Sequence, residues 1–274
     1  MRLLTWNLNG RRKVDEQMAA IAARSPDIVA LQELTQNSTT SWRAVLPLAG
    51  LPHVADSFAS SPSWEPKGPR RYGLVIAGRF PLACLTSAHT VPWPERILSV
   101  AVLAPRCAIN VHTTHIPPGS TNGWMKIEML EAVSAVVSEH SNTPSILCGD
   151  FNVPQAETPE GRIVTWGEDM VDGEPRLRGR WRGGDGRRWD RAERTVMEGG
   201  AQRLLIDAYR HLHGYGRQEF SWFVHRKERR IGRRFDHVFC SRELVVKSCE
   251  YLHRLREDGL SDHSAMELDF EVAG

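Results

Sequence analysis

The sequence predicts an α/β fold, and three observations support this prediction. Short apolar runs typical of buried strands outnumber the segments whose apolar residues have helical spacing. The two kinds of segment alternate irregularly along the chain. Polar residues follow directly after several strand-like runs, which is where α/β proteins gather their ligands. We therefore expect an α/β domain with one composite site at the ends of its strands.

The chain begins with a β-α-β pattern. Residues 2–8 and 27–32 have the apolar runs of short buried strands, and residues 14–24 between them carry apolar residues at helical spacing. A second helix is predicted at residues 40–46. The Pro-, Ser- and Gly-rich residues 47–69 are predicted to be mostly loop.

The middle of the chain combines strands with its strongest helical pattern. That helix is predicted at residues 123–139, where one apolar stripe runs along the segment and Asn122 is placed to cap its start. Strands are predicted on both sides of it, at residues 72–77, 98–103, 108–113 and 145–148.

The sequence turns polar at residues 162–200, where Arg, Gly and Trp are frequent and no helix or strand period stands out. We expect a long surface insertion there. Its tryptophans have two open interpretations: they stack on nucleic-acid bases beside the arginines, or they pack the loop back onto the fold. A helix at residues 201–210 follows, with strands at residues 220–224, 235–240, 245–252 and 265–270.

Length and composition exclude several classes of protein. The chain has 274 residues, of which 41% are hydrophobic and 25% are charged, a balance that excludes disordered and fibrous proteins. Its five cysteines are odd in number and form no CxxC pair, so neither a disulfide framework nor a zinc ribbon is expected. No apolar leader or membrane-spanning run is present, and we expect a cytoplasmic protein with no membrane partner.

The positive charge is local. The net charge is only +2, but arginines concentrate in residues 176–194 and 226–234. Arginine binds phosphate with two hydrogen bonds, so such runs suit a polyanionic partner. A GC-rich genome that favours arginine codons is the alternative explanation.

Six short segments carry the polar residues that chemistry requires. Asn, Glu, His or Asp comes directly after apolar strands in TWNLNG, LQE, HTTH, CGDFN and SDH, and RFDH begins a strand. Oxygen ligands without thiolates are what a hard cation such as Mg²⁺ or Mn²⁺ requires. Asn7, Glu33 and Asp262 are the predicted metal ligands.

A metal beside a histidine–carboxylate pair is suited to hydrolysis of phosphate esters. His263 is the predicted base, and Asp236 is predicted to hold its other ring nitrogen. Asp150 and Asn152, two residues apart in a turn, are predicted to face the attacking water and a phosphate oxygen. Whether Asp150 aligns the water or protonates the leaving group stays open. His115 is predicted to bind the phosphate or the leaving oxygen.

The ordered segments TWNLNG, LQE, CGDFN, RFDH and GLSDHSA resemble those of the endonuclease/exonuclease/phosphatase superfamily, nearly from end to end. This superfamily includes exonuclease III-type apurinic endonucleases, deoxyribonuclease I and several phosphatases. The resemblance implies a four-layer α/β sandwich with two packed, mixed and mostly antiparallel sheets. It also implies one domain over residues 1–274, with an Arg- and Trp-rich insertion near residues 162–200.

For function, the resemblance implies a monomeric phosphodiester hydrolase that uses Mg²⁺ or Mn²⁺ and acts on DNA as an endonuclease, AP endonuclease or 3′ exonuclease. DAYR and FSW resemble the exonuclease III-type enzymes, whereas a histidine at position 115 is closer to the deoxyribonuclease and phosphatase branches. RNA, a phospholipid or a small phosphorylated molecule therefore remains the alternative substrate. A non-catalytic binding module is disfavoured, because every expected polar position is filled. The predicted substrate-binding residues are Asn9, Arg12, Arg233 and Arg234.

Overall fold

The structure is a computed structural model that describes residues 1–10, 13–60, 65, 71–140, 142–200 and 204–273. Its strands are β1 (Arg2–Asn7), β2 (Ile28–Leu34), β3 (His53–Asp56), β4 (Gly73–Gly78), β5 (Leu82–Cys84), β6 (Ile97–Leu103), β7 (Ala108–His115), β8 (Ser145–Asp150), β9 (Ala156–Glu157), β10 (Ile163–Val164), β11 (Glu168–Val171), β12 (Glu174–Leu177), β13 (Arg180–Trp181), β14 (Gly184–Asp185), β15 (Leu205–Asp207), β16 (Trp222–Arg226), β17 (Arg229–Arg233), β18 (Asp236–Ser241), β19 (Leu244–Leu252) and β20 (Ala265–Val272). Its α-helices are α1 (Val14–Ala22), α2 (Gln36–Val45), α3 (Ser57–Ser60), α4 (Gly119–Asn122), α5 (Met125–Glu139), α6 (Gly186–Met197), α7 (Ala208–His213) and α8 (His253–Glu257), and short 3-10 helices lie at Leu46–Ala49 and Pro94–Arg96.

Two six-stranded sheets form the centre of the fold. The strand order of the first is β19-β20-β1-β2-β4-β3, and that of the second is β15-β18-β8-β7-β6-β5. In each sheet one pair is parallel, β1 with β2 and β7 with β8, and the other pairs are antiparallel. The predicted pair of mixed, mostly antiparallel sheets is confirmed.

Successive side chains of a strand point to opposite faces of its sheet, and this explains why each sheet packs against one layer on either side. Leu3 lies in the core between the two sheets, whereas its neighbour Leu4 lies in a second core with residues of α1 and α2. On the outer face of the other sheet, Leu147 and Phe239 pack against α5 and α6. Strands buried on both faces read as continuous apolar runs, which is why the sequence predicts them. The result is the four-layer sandwich of helices, sheet, sheet and helices.

The predicted cap of the longest helix is wrong. Asn122 is the last residue of the separate short helix α4, and α5 begins after Trp124 without a side-chain cap. Gly123 lies between the two helices with a φ of +55°, which glycine adopts at little cost. The chain therefore turns at Gly123 instead of starting one continuous helix.

Two other segments differ from their predictions. Within residues 47–69 the structure has β3 and α3, where mostly loop was predicted. The helix predicted at residues 201–210 begins in residues 201–203, which lie outside the described part. Beyond them the chain forms strand β15 and only then helix α7, because β15 pairs with β18 at the edge of the second sheet.

The insertion at residues 162–200 is more regular than predicted. It contains helix α6 and the hairpins β11–β12 and β13–β14. The Asp185 side chain accepts a hydrogen bond from the backbone N–H of Arg187 at the start of α6. Trp189 is buried and packs with Trp124 at 5.3 Å between ring centroids. Of the two interpretations of the insertion's tryptophans, packing onto the fold therefore holds for Trp189.

Helix length and the surroundings of the cysteines can be stated for the described residues. In the described ranges, no helix is both long enough and apolar enough to cross a membrane. The cysteines are free, and Cys148, Cys240 and Cys249 are buried like small apolar residues. Cys84 is exposed on the edge strand β5, and Cys107 is half-buried.

Candidate active site

Strand register brings the predicted catalytic residues together at one edge of the sandwich. His115 pairs with Asp150 across β7 and β8, and Asp150 pairs with Asp236 across β8 and β18. Glu33 reaches the same place from the other sheet. Ligand atoms of Glu33, His115 and Asp150 lie within 4.8 Å of one another, and so do those of Asp150, Asp236 and His263. One buried cluster therefore contains both groups.

The backbone adopts unusual conformations where it directs these side chains. Glu33 has a φ of +60° and lies where the pairing of β2 with β4 shifts register between Leu31 and Leu34. Such a bulge redirects a side chain out of the regular strand pattern. Gly149 has a φ of +128°, and a Cβ atom there would lie 2.1 Å from the Thr114 carbonyl oxygen. Only glycine lets β8 lie this close to β7 directly before Asp150.

His263 and Asp236 form the predicted histidine–carboxylate pair. The distance between Nδ1 of His263 and Oδ2 of Asp236 is 2.7 Å. The indole N–H of buried Trp6 donates to the His263 carbonyl at 3.1 Å and fixes this loop against β1. Burial alone would lower the pKa of His263, but the carboxylates of Asp236 and Asp150 outweigh it and raise that pKa to about 10. The pair holds the imidazole with Nε2 turned toward the cluster, where Asp150 Oδ2 lies 3.9 Å away.

His115 is held as a neutral ring. Arg96, which has only donor atoms, hydrogen-bonds Nδ1 of His115, so the ring proton is on Nε2. That Nε2 lies 3.3 Å from Oε1 of Glu33. Burial and the positive charge of Arg96 lower the pKa of His115 well below its usual value. His115 therefore offers a neutral N–H donor to the site.

Asn7 differs from its predicted role. Its amide Nδ2 donates to Glu33 Oε1 at 3.1 Å and to Asp150 Oδ2 at 2.9 Å. Its Oδ1 accepts the backbone N–H of Asn9 at 2.9 Å. Because the amide nitrogen faces the two carboxylates, Asn7 orients them, and this arrangement does not support the prediction that its oxygen is a metal ligand.

Asp150 and Asn152 form a compact turn at the end of β8. The backbone N–H of Asn152 donates to Asp150 Oδ1 at 2.9 Å, and Asn152 Nδ2 donates to the Ile116 carbonyl at 2.9 Å. Burial raises the pKa of Asp150 to about 7; His263 opposes this rise, and the carboxylates of Asp236 and Glu33 add to it. The cluster thus concentrates negative charge around Asp150.

The donor atoms of this cluster fit a hard divalent cation. Among the described residues, Glu33 Oε2 and Asp262 Oδ1 are buried oxygens without a hydrogen-bond partner. Buried polar atoms normally have partners, so two unpartnered carboxylate oxygens beside one cluster indicate a place for a ligand. The other Asp262 oxygen, Oδ2, accepts the indole N–H of Trp222 at 3.1 Å. Carboxylate oxygens are the ligands that Mg²⁺ and Mn²⁺ prefer.

The four predicted substrate-binding residues lie in different places. Asn9 is half-buried next to the cluster, and Arg12 lies outside the described residues. Arg233 is half-buried on the hairpin β16–β17. Arg234 differs from its prediction: its side chain is 2% exposed and is paired with Glu157 at 2.7 Å and Asp207 at 2.6 Å. Its guanidinium is part of a buried ion-pair network with these two carboxylates.

Because of this ion-pair network, the free energy of unfolding is expected to depend on pH in the acidic range. Burial alone would raise the pKa of Asp207, but Arg234 and His237 outweigh it and hold that pKa well below its usual value. A lowered carboxyl pKa stabilises the fold above the unfolded-state pKa of about 3.9, and this contribution is lost as the pH falls below it. At pH 7, Asp207→Asn is expected to lower the free energy of unfolding by about 1–3 kcal/mol.

Urea unfolding of both proteins between pH 7 and pH 3 measures this effect. The difference between wild type and Asp207→Asn is expected to shrink below about pH 4. Glu131→Gln is the control, because Glu131 forms an exposed pair with Arg188. A difference for Asp207→Asn that stays constant over this range contradicts the prediction.

Residues of the insertion support the turn that carries Asp150 and Asn152 by hydrogen bonds around the Asn152 carbonyl. Buried Lys126 donates from Nζ to the Asn152 carbonyl at 3.0 Å and to Glu193 Oε1. The indole N–H of Trp166 donates to the same carbonyl at 3.3 Å. Glu193 Oε2 accepts the backbone N–H of Trp166 at 2.7 Å, and Glu193 Oε1 accepts the indole N–H of Trp189 at 2.8 Å. Through Glu193, helix α6 therefore holds both donors of the Asn152 carbonyl.

Sequence reasoning missed Arg96, Lys126 and Glu193. Arg96 directly precedes β6, whose first residue Ile97 pairs with Thr114 next to His115, but that register is not readable from the chain. Lys126 could have been noticed, because a lysine is unusual among the buried residues of an apolar helix. Glu193 leaves none, since a glutamate in an arginine-rich helix resembles a surface residue.

The chain belongs to the Endonuclease/Exonuclease/phosphatase family, whose family model matches residues 4–263. Members of this family hydrolyse phosphate esters, so the chain is an enzyme of that class. The buried cluster of carboxylates and histidines lies within the matched region. A search of curated protein sequences finds no match.

Several solved structures are similar along nearly the whole chain. An AP endonuclease from Archaeoglobus fulgidus superposes with a TM-score of 0.73 and 18% identity, covering 99% of this chain and 100% of the other. A variant of the 3′ phosphatase NExo from Neisseria, bound to a product DNA hairpin, has a TM-score of 0.70 and 20% identity, covering 99% of each chain. A humanized D. rerio TDP2 has a TM-score of 0.64 and 16% identity, also covering 99% of each. These similarities show the fold.

Proposed function

We propose that this protein hydrolyses phosphodiester bonds in DNA with a divalent metal ion. The observation that carries the proposal is the buried cluster in which the His263–Asp236 pair meets Asp150, Glu33 and His115 at the common edge of both sheets. A base held by a carboxylate next to a group of oxygen ligands is what metal-assisted hydrolysis of phosphate esters requires.

Each side chain has a role in this proposal. Glu33 and Asp262 hold Mg²⁺ or Mn²⁺, which supplies positive charge to the phosphate and to the departing oxygen. A cation bound by the neighbouring carboxylates would lower the raised pKa of His263, and His263, oriented by Asp236, then takes the proton of the attacking water. Asp150 aligns that water, or its raised pKa lets it carry a proton to the leaving group. His115 donates its Nε2–H to a phosphate oxygen. Asn152 lies close to His115, because its side-chain amide donates to the carbonyl of the next residue, Ile116.

The surface next to the cluster supports a polyanionic substrate. Four arginines of hairpin β16–β17 have no carboxylate partner in the described part of the chain, namely Arg226, Arg229, Arg230 and Arg233. The Arg230 guanidinium stacks on Phe223 at 3.6 Å from the ring centroid. The structural neighbours include an AP endonuclease and an enzyme bound to a DNA hairpin. DNA is therefore the proposed substrate.

Cleavage of labelled DNA tests the proposal. The substrates are a duplex with one abasic-site analogue, an intact duplex, a single strand and a generic phosphodiester, each with Mg²⁺, Mn²⁺ or EDTA. We expect metal-dependent cleavage of DNA by the wild type and loss of at least about 100-fold in rate for Asp150→Asn. Duplex binding is expected to weaken steeply with salt, because bound phosphates release counterions.

Two results would redirect or reject this proposal. Hydrolysis of the generic ester with all DNA untouched, together with duplex binding that does not respond to salt, moves the substrate to RNA, a phospholipid or a small phosphorylated molecule. Full activity of Asp150→Asn or full activity in EDTA rejects the catalytic assignment itself. A single domain, a monomeric state and a cytoplasmic location stay predictions from the sequence.

A further inference from the structure

Two buried arginines near the catalytic turn are neutralised by carboxylates. Arg234 is paired with Glu157 and Asp207, and Arg210 with Glu157. Arg233 is different. Within the described ranges it forms no ion pair, and its Nη1 donates only to the carbonyl of its neighbour Gly232 at 3.1 Å. A guanidinium in this position has donor atoms left for a ligand.

The position of Arg233 is fixed by an aromatic ring that also contacts the catalytic turn. Its guanidinium lies over Trp166 at 5.5 Å from the ring centroid. The same indole donates from Nε1 to the Asn152 carbonyl at 3.3 Å. One indole ring therefore separates Arg233 from the turn that carries Asp150 and Asn152.

Arg233 also lines a groove that begins at Pro154, two residues after Asn152. The groove has a volume of about 540 Å³, and Pro154, Phe220 and Phe223 contribute to its walls together with Arg230. Burial lowers the pKa of Arg233, and the positive charge of Arg226 acts in the same direction. A partly desolvated guanidinium without a counter-ion is costly, and a bound anion removes that cost.

We propose that Arg233, seated on Trp166, binds a second phosphate group of the substrate, next to the one that is hydrolysed. This inference rests on the proposed function and makes it more specific. The ligand is a phosphate oxygen pair held by the arginine fork. In DNA this is the phosphate that flanks the cleaved bond, and in a small substrate it is a second phosphate on the same molecule.

The test combines protein and substrate changes. Arg233→Gln and Arg233→Lys are compared with Arg242→Gln, a control at an exposed arginine directly after β18, at the end of that strand opposite Asp236. The DNA carries neutral methylphosphonates at single positions on either side of the cleaved bond. Arg233→Gln is expected to lower kcat/KM about 10–100-fold, and Arg233→Lys to restore part of that loss. Arg242→Gln is expected to change kcat/KM less than about 3-fold.

The decisive result is whether the effects of the Arg233 substitution and of the methylphosphonate on kcat/KM are additive. One flanking methylphosphonate is expected to slow the wild type, whereas the same change has little further effect on Arg233→Gln. If instead no methylphosphonate matters, but inorganic pyrophosphate inhibits the wild type more strongly than Arg233→Gln, the second phosphate belongs to a small molecule. Additive effects at every flanking position combined with equal pyrophosphate inhibition overturn the proposal, and so does an Arg233→Gln variant that behaves like Arg242→Gln.

Failure of this inference is separable from failure of the proposed function. Binding of the same oligonucleotides to Asp150→Asn, with and without Arg233→Gln, measures the second phosphate contact without hydrolysis. If DNA hydrolysis fails but this binding difference remains, the phosphate site stands and the proposed reaction does not. If hydrolysis is confirmed and the binding difference is absent, only the assignment of Arg233 is wrong.

Discussion

His263→Ala is expected to lower kcat by about 10²–10⁴-fold, because it removes the general base. Asp236→Asn is expected to lower kcat too, since the carboxylate that orients His263 through Nδ1 at 2.7 Å is lost. The two effects are not expected to multiply, because both residues act through one imidazole. Steady-state rates on the best DNA substrate, with saturating metal, measure kcat for both single variants and the double variant.

His225→Ala is the control for these variants, because His225 is exposed on hairpin β16–β17 and contacts none of the cluster. Its kcat is expected to stay within about 2-fold of the wild type. A His263→Ala variant that keeps more than a tenth of the wild-type kcat contradicts the assignment of the base. Multiplying losses for the two single variants contradict the proposal that they act as a pair.

Lys126→Ala is expected to lower the free energy of unfolding by about 3–5 kcal/mol. Lys126 and Glu193 are 1% and 0% exposed, so the substitution leaves the Glu193 carboxylate buried without its cation. Lys126→Ala also removes a donor from the Asn152 carbonyl, so kcat is expected to fall more than KM changes. Urea unfolding measures the stability, and steady-state kinetics at a temperature where the variant stays folded measures the rate.

Two comparisons test whether burial of the ion pair is the cause of the destabilisation expected for Lys126→Ala. Arg188→Ala removes a partner from an exposed pair with Glu131, and its effect on the free energy of unfolding is expected to be about 0–1 kcal/mol. The double variant Lys126→Met with Glu193→Gln removes both charges but keeps an acceptor for the tryptophan N–H groups. It is expected to be more stable than Lys126→Ala. Equal destabilisation by Arg188→Ala and Lys126→Ala would show that burial is not the cause.

The pairing of His263 with Asp236 was predictable from sequence, although the two residues are 27 positions apart along the chain. Each lies in a short polar segment beside an apolar strand, and an isolated imidazole needs a carboxylate to orient it. The role of Asn7 was not predictable, because its residue type is equally suited to donate or to accept. The register of β1 and the contacts of Glu33 and Asp150 decide which end of the amide faces the cluster.

Arg233 and Arg234 illustrate the same limit with adjacent residues. In the sequence they are two adjacent arginines shortly before Asp236, and nothing distinguishes one from the other. Both were therefore predicted to bind substrate. Successive residues of an extended chain point in opposite directions. Arg234 therefore points inward to Glu157 and Asp207, and Arg233 points toward Trp166 and the groove. Which of the two remains available to a ligand depends on carboxylates brought from distant parts of the chain.

The sequence by itself determined the fold class and the chemical type of the site, because buried strands need apolar runs and the site's polar residues directly adjoin those runs. Tertiary structure alone decided that the insertion supports the turn of Asp150 and Asn152: Trp166 of the insertion and Lys126 of α5 donate to the Asn152 carbonyl, and Glu193 of the insertion holds both donors. It also decided that Arg96 keeps His115 neutral. Both depend on contacts between segments far apart in the chain. The free energy of burying a charge depends on its partners and not on its own residue type.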